Sequence, residues 1–118
     1  MDSRTRILLV EDEPAHIALI QRAFEPRSAE IVLTVVNTLK AARAHFSAGA
    51  MELVIVDWLL PDGRGTDVLP GDETAPPFPV IVMTSHGNEQ IAVEAMKAGA
   101  LDYVVKSAET LADMPHIA

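Results

Sequence analysis

Five short runs of the chain are almost wholly apolar: "RILLV" (6–10), "IVLTVV" (31–36), "LVIVD" (53–57), "PVIVMT" (79–84) and "DYVVK" (102–106). All are rich in Val or Ile and too short for a core helix. Apolar residues at consecutive rather than alternate positions mark strands covered on both faces, as in parallel sheets. The segments between them change period. In "PAHIALIQRAF" Pro14 suits a first helical turn, and Ile17, Ile20 and Phe24 recur at helical spacing. "TLKAARAHFSAG" sets Leu39, Ala42 and Phe46 on one side and stops at Gly49. "NEQIAVEAMKAG" does the same with Ile91, Ala95 and Met96 and stops at Gly99. Such alternation predicts βαβ units with right-handed crossovers, an α/β fold built on a five-stranded parallel sheet.

Two segments break the rhythm. After the third strand, "GRGTDVLPGDETAPPFP" should hold a helix, but Pro70, Gly71 and the Pro76-Pro77 pair leave room for little more than a turn. In "SAETLADMPHIA", Pro115 fits a first helical turn with Asp113 as N-cap, so the fifth helix is expected only to begin there. The expectation is therefore a short or irregular third helix, a truncated fifth, and a single domain over 1–118. That domain is expected to be the N-terminal part of a longer protein.

Composition narrows the function. A chain of 118 residues suffices for one real core, and aromatics at 4% leave the core to aliphatic side chains. Without cysteine there is no disulfide or thiolate metal site, which suits a cytoplasmic protein. A net charge of −8 argues against a nucleic-acid surface, and no apolar run approaches the ~20 residues of a membrane helix. The opening "MDSRTR" has no signal-peptide character.

Chemistry concentrates just past the strands. Strand one is followed by Glu11, Asp12 and Glu13; strand three ends in Asp57, strand four in Thr84-Ser85 and strand five in Lys106. Ligands of open parallel sheets bind beyond the carboxyl ends of the strands, where the strand order reverses. With order 2-1-3-4-5, these groups would converge on one shallow cleft. Crowded carboxylates raise one another's pKa unless a cation intervenes, and a hard divalent ion such as Mg2+ prefers oxygen ligands. An aspartate beside that ion and a lysine is placed to attack a phosphoryl group, which a hydroxyl could also hold.

The segments "ILLVEDEP", "LVIVDWLLPDGRG", "VIVMTS" and "DYVVK" together resemble the response-regulator receiver domain of two-component signalling, of the chemotaxis-regulator type, over essentially the whole chain. The resemblance implies a flavodoxin-like doubly wound sheet. It implies that Asp57 is the phosphoacceptor and that Mg2+ or Mn2+ is held by Asp12, Asp57 and the backbone carbonyl of Leu59, with Glu11 acting through water. It makes Thr84 the switch hydroxyl, Lys106 the partner of the phosphoryl oxygens, and Tyr103 the aromatic that turns inward as Thr84 moves. Ser85 is a rival for the role of Thr84, and His86 a secondary candidate at a position that tunes phosphoryl lifetime. The phosphodonor would be a histidine kinase, a phosphotransfer protein or a small molecule. Signalling, and a possible homodimer, would use the face of the fourth helix, fifth strand and fifth helix. No catalysis beyond self-phosphorylation and self-dephosphorylation is expected.

Each residue has a plainer reading. Asp57 could be a surface carboxylate, Glu11 and Asp12 could complement the dipole of the first helix, and Lys106 could be a solvated lysine. Thr84 could be an ordinary strand-end hydroxyl and Tyr103 half-buried filler. His16, His45 and His116 show no ligand spacing and receive no role; Met83 and Met96 read as core filler. The family's proline after the lysine is replaced by Ser107, so a trans Lys106–Ser107 bond is expected, because cis without proline costs ~3 kcal/mol. A dehalogenase-type phosphatase would need an aspartate where Leu59 stands, and no P-loop exists. The remaining alternative is a receiver-like interaction module that is not phosphorylated.

Overall fold

The five apolar runs form one parallel sheet: β1 (Thr5–Val10), β2 (Ile31–Val36), β3 (Leu53–Asp57), β4 (Val80–Thr84) and β5 (Asp102–Val105). Their spatial order is 2-1-3-4-5, as the sequence leads one to expect. The computed structural model describes residues 4–48, 51–68, 78–85, 87 and 89–117. Three of the helices follow the predicted spans: α1 (Pro14–Phe24), α2 (Leu39–Ala48) and α3 (Glu89–Ala98). Two short helices, α4 (Ala108–Ala112) and α5 (Met114–Ile117), close the described chain. Of 63–79, where a short or irregular third helix is expected, Gly65–Val68 forms one 3-10 turn and 69–77 lies outside the described residues, so α3 is the helix expected as fourth.

Consecutive apolar residues in the strands serve opposite faces of the sheet, which is why the runs are unbroken. Leu8, Val10, Val54, Val56, Val80 and Val82 face a cluster completed by Leu39 and Ala42 of α2 and Ala95 of α3. Ile7, Leu9, Leu53, Ile55, Ile81 and Met83 face the other way, onto Ile20 and Phe24 of α1, Leu111 of α4 and Met114 of α5. Helices thus cover both faces of a doubly wound sheet. Glu13 caps α1 by accepting the Ala15 N–H at 3.3 Å, and Pro14 fills the first position as expected. Gly99 takes φ 108° and its N–H meets the Met96 carbonyl, ending α3 where the sequence places its stop. Gly49, the expected stop of α2, lies outside the described residues. No helix among the described residues is long and apolar enough to cross a membrane.

Two expectations need adjusting. A helix begins after Asp113 as expected, but an unexpected short one precedes it from Ala108, with Ser107 as its cap. The Ser107 hydroxyl accepts the Thr110 N–H at 3.0 Å while the Thr110 hydroxyl accepts the Ser107 N–H at 2.8 Å, a reciprocal pair that satisfies two orphan donors. Asp113 joins α4 to α5: its carbonyl accepts the N–H groups of His116 and Ile117, and Pro115 occupies the first turn beyond it. The second correction is Met96, which is half exposed rather than core. Its neighbour Ala95 holds the buried position of that turn, and residues one apart on a helix face different ways. Met83 is fully buried, as expected.

Candidate functional site

Register places the ends of four strands in one row. Val10 lies beside Val56, Asp57 beside Met83, and Thr84 beside Val105. One step further along each strand, Glu11, Asp57, Thr84 and Lys106 therefore meet at the carboxyl edge of the sheet. Among the described residues, the buried polar or charged side chains are Glu11 (0% exposed), Asp57 (7%) and Thr84 (3%). All three belong to this row. Burial of charge is costly without partners, so a cluster of it needs a physical reason.

Lys106 supplies part of that reason. Its ammonium lies 2.8 Å from Glu11 Oε2 and 3.1 Å from Asp57 Oδ1, with the lysine side chain only 4% exposed. The other oxygen of Glu11 accepts the backbone N–H groups of Asp12 and Glu13, at 3.1 and 3.0 Å, so this carboxylate also shapes the loop after β1. Asn37 fixes the same loop by donating to the Glu11 carbonyl at 3.0 Å. Asp12 is exposed, and each of Glu11, Asp12 and Asp57 offers an oxygen within 4.8 Å of the others. Burial pushes the Asp57 carboxyl up from its usual 3.8 to about 6; Glu11 and, less strongly, Asp12 add to the rise, and Lys106 opposes it. Three carboxylates against one ammonium leave two negative charges in excess. An all-oxygen donor set of that charge, with one member open to water, suits a hard divalent cation.

The loop after Asp57 forms the wall of the cleft. Leu59–Leu60 pairs antiparallel with Gly63–Arg64, and the Gly65 N–H returns to the Trp58 carbonyl at 2.8 Å. A β-carbon on Gly65 would run into the Asp57 carbonyl oxygen, so only glycine allows this approach. Asp62 anchors the loop to α2 by accepting the N–H groups of Leu39 and Lys40 at 2.8 and 3.0 Å, bonds that lower its own pKa. Trp58 is buried beneath the loop, with the Arg64 guanidinium 5.4 Å from its ring centre.

Glu11, Asp12, Asp57, Thr84 and Lys106 thus share one edge. Leu59 sits in the hairpin two residues past Asp57 with its side chain exposed. Ser85 is exposed at the end of β4, and His86 lies outside the described residues. Tyr103 is half-buried against the valine-rich cluster, already turned inward, and its buried hydroxyl has no hydrogen-bond partner among the described residues. The Lys106–Ser107 bond is trans, since no cis peptide occurs among the described residues. One residue was passed over in the sequence: His16, whose Nδ1 lies 3.1 Å from the Lys106 ammonium. Its sequence signal was its place in the first turn of α1, the turn that opens onto the strand ends.

A model of the response regulator receiver domain family matches residues 7–114. The chain belongs to the response-regulator receiver domains. The receiver is 41% identical over 117 residues to the methanogenesis regulatory protein FilR1 of Methanothrix harundinacea, covering 95% of this chain and 26% of that protein. Among solved structures, the signal receiver domain of a LuxO repressor protein from Vibrio parahaemolyticus superposes with a TM-score of 0.80 at 30% identity, covering 97% of this chain and 88% of that one. The Mn2+-bound form of response regulator Rcp1 gives 0.81 at 26% identity, covering 93% and 88%. The receiver spans about a quarter of the length of the first curated relatives it matches.

Proposed function

We propose that this receiver is a phosphoacceptor whose acceptor atom is a carboxylate oxygen of Asp57. The observation that carries the reading is the Asp57 carboxyl held 3.1 Å from a buried ammonium, with Glu11 and Asp12 converging on it. In the step proposed, an Asp57 oxygen attacks the phosphorus of a phosphohistidine on a kinase or phosphotransfer protein, or of a small acyl phosphate. A new P–O bond forms, the P–N or P–O bond to the donor breaks, and the electron pair leaves with the donor. A divalent cation, Mg2+ or Mn2+, bound by Asp12 and Asp57 with Glu11 acting through water and the Leu59 carbonyl completing the set, would neutralise charge on the transferred oxygens.

The chain's own residues do the rest. Attack requires ionised Asp57, and with its pKa near 6 the carboxyl is mostly ionised at pH 7 even before a cation lowers it further. Lys106 then exchanges Asp57 Oδ1 for a phosphoryl oxygen, and the Thr84 hydroxyl donates to another. Movement of Thr84 changes the packing at the end of β4, beside which Tyr103 already lies inward. The output is altered on the face of α3, β5 and α4, where Val93, Met96, Leu101 and Val105 are exposed. A second copy of the chain, or a downstream domain, would dock there. Turnover is confined to the protein's own acyl phosphate.

Acetyl phosphate with Mg2+ should add one phosphoryl group to the intact mass, and Asp57→Asn should abolish it. An unchanged wild-type mass would favour an interaction module that takes no phosphoryl group.

A further inference from the structure

The ammonium of Lys106 has three N–H bonds and the structure gives it three acceptors. Two are Glu11 Oε2 and Asp57 Oδ1, at 2.8 and 3.1 Å; the third is His16 Nδ1, at 3.1 Å. An ammonium can only donate, so Nδ1 accepts and the ring proton of His16 lies on Nε2. His16 is on α1, while Lys106 follows β5, ninety residues away. The lysine side chain is only 4% exposed, so a lost protein acceptor is costly to replace.

We infer that His16 is a positioning residue for Lys106, holding its ammonium over the Asp57 carboxyl throughout phosphoryl acceptance. This rests on the phosphoacceptor reading. The two carboxylate acceptors change during that reaction: Asp57 becomes an acyl phosphate, and Glu11 would share its charge with a bound cation. The imidazole does not change. It is an acceptor carried on a helix, and it holds the third N–H while the other two find new partners. Without it the ammonium keeps its charge but loses its direction, and transfer depends on direction.

Substitution tests the idea. His16→Leu and His16→Phe both remove the acceptor, and His16→Phe keeps a ring of similar shape. His16→Gln retains an acceptor in its amide oxygen. Labelling by acetyl phosphate and Mg2+ should slow by roughly tenfold in both acceptor-free variants, and by no more than about threefold in His16→Gln, given the worth of one hydrogen bond to a charged group. The Lys106 ammonium proton signal in NMR should be visible in wild type and His16→Gln, and lost by solvent exchange in His16→Leu and His16→Phe. Equal labelling rates in all four proteins would overturn the inference, as would a His16→Gln as slow as His16→Leu. So would an ammonium signal that survives loss of the acceptor. A wild type that takes no label sinks the phosphoacceptor reading instead, and the hold on Lys106 is then judged by the ammonium signal alone.

Discussion

Replacing Asp57 with asparagine should make this protein more stable at pH 7 in the absence of divalent cations. Asparagine keeps the shape and still offers Lys106 an oxygen, but carries no charge. What disappears is the cost of ionising a buried carboxyl beside Glu11 and Asp12. That cost is legible in its pKa, raised from 3.8 to about 6. A shift of about two units corresponds to about 3 kcal/mol above both values. Neighbours relax around a strained charge, so the expected gain is between about 1 and 3 kcal/mol. For a domain of this size that is an increase in Tm of roughly 4–12 °C.

The pH dependence fixes the sign. Because the folded-state pKa lies above the unfolded one, native Asp57 binds a proton more tightly than the unfolded chain does. Its favourable contribution is complete below pH about 3.8 and is lost as pH rises through about 6. Thermal melts in a chelating buffer at pH 4, 5, 6 and 7 should therefore show wild type and Asp57→Asn converging at the acid end and parting above it. Comparing the two proteins cancels the slopes of the carboxylates remote from the site. Added Mg2+ should then lift the wild type more than the variant, which has lost a ligand. A variant less stable than wild type at pH 7, or a gap that does not change between pH 4 and 7, would refute the claim that Asp57 is held at a loss.

Removing the cation of the cluster should act in the opposite direction. Lys106→Met leaves Glu11 and Asp57 buried without their shared partner and should cost about 3–5 kcal/mol by chemical denaturation; adding Asp57→Asn to it should restore part of that loss. Ser107→Ala should cost about 1 kcal/mol in Tm-derived stability through loss of the α4 cap. Trp58 is the chain's one tryptophan and lies next to Asp57, so its fluorescence should change on Mg2+ titration in wild type and stay flat in Asp57→Asn.

The sheet was legible because burial on both faces leaves one kind of residue at each strand position. Five unbroken Val- or Ile-rich runs can hardly be placed otherwise, and their order put Glu11, Asp57, Thr84 and Lys106 on one edge. The C-terminal helices were harder. Pro115 drew the start to Asp113, whereas the Ser107–Thr110 pair, a capping box without its usual Glu or Gln, had already begun a helix. Met96 was misplaced because it was put on one side with its neighbour Ala95, and only Ala95 faces the core. His16 was harder still, its one signal being its place in the first turn of α1. Its contact spans ninety residues, and neither neighbour in sequence hints at a lysine across the cleft.

Ser107 shows how a departure from family pattern can be absorbed without harm to the site. A proline after Lys106 would give up a backbone N–H; serine keeps it and uses it, donating to Thr110. The Thr110 hydroxyl in turn donates to the Val105 carbonyl at 2.8 Å, while the Lys106 N–H meets the Thr84 carbonyl at 2.7 Å. Val105, Lys106 and Ser107 are thereby fixed on both sides of the lysine by bonds to β4 and to α4. The direction of the Lys106 side chain then follows from the end of β5, from a cap, and from the acceptor on α1, three elements that belong to different parts of the sequence. A trans peptide is no handicap under those constraints. The lysine's position depends on the sum of these anchors, not on the isomer of the bond that follows it.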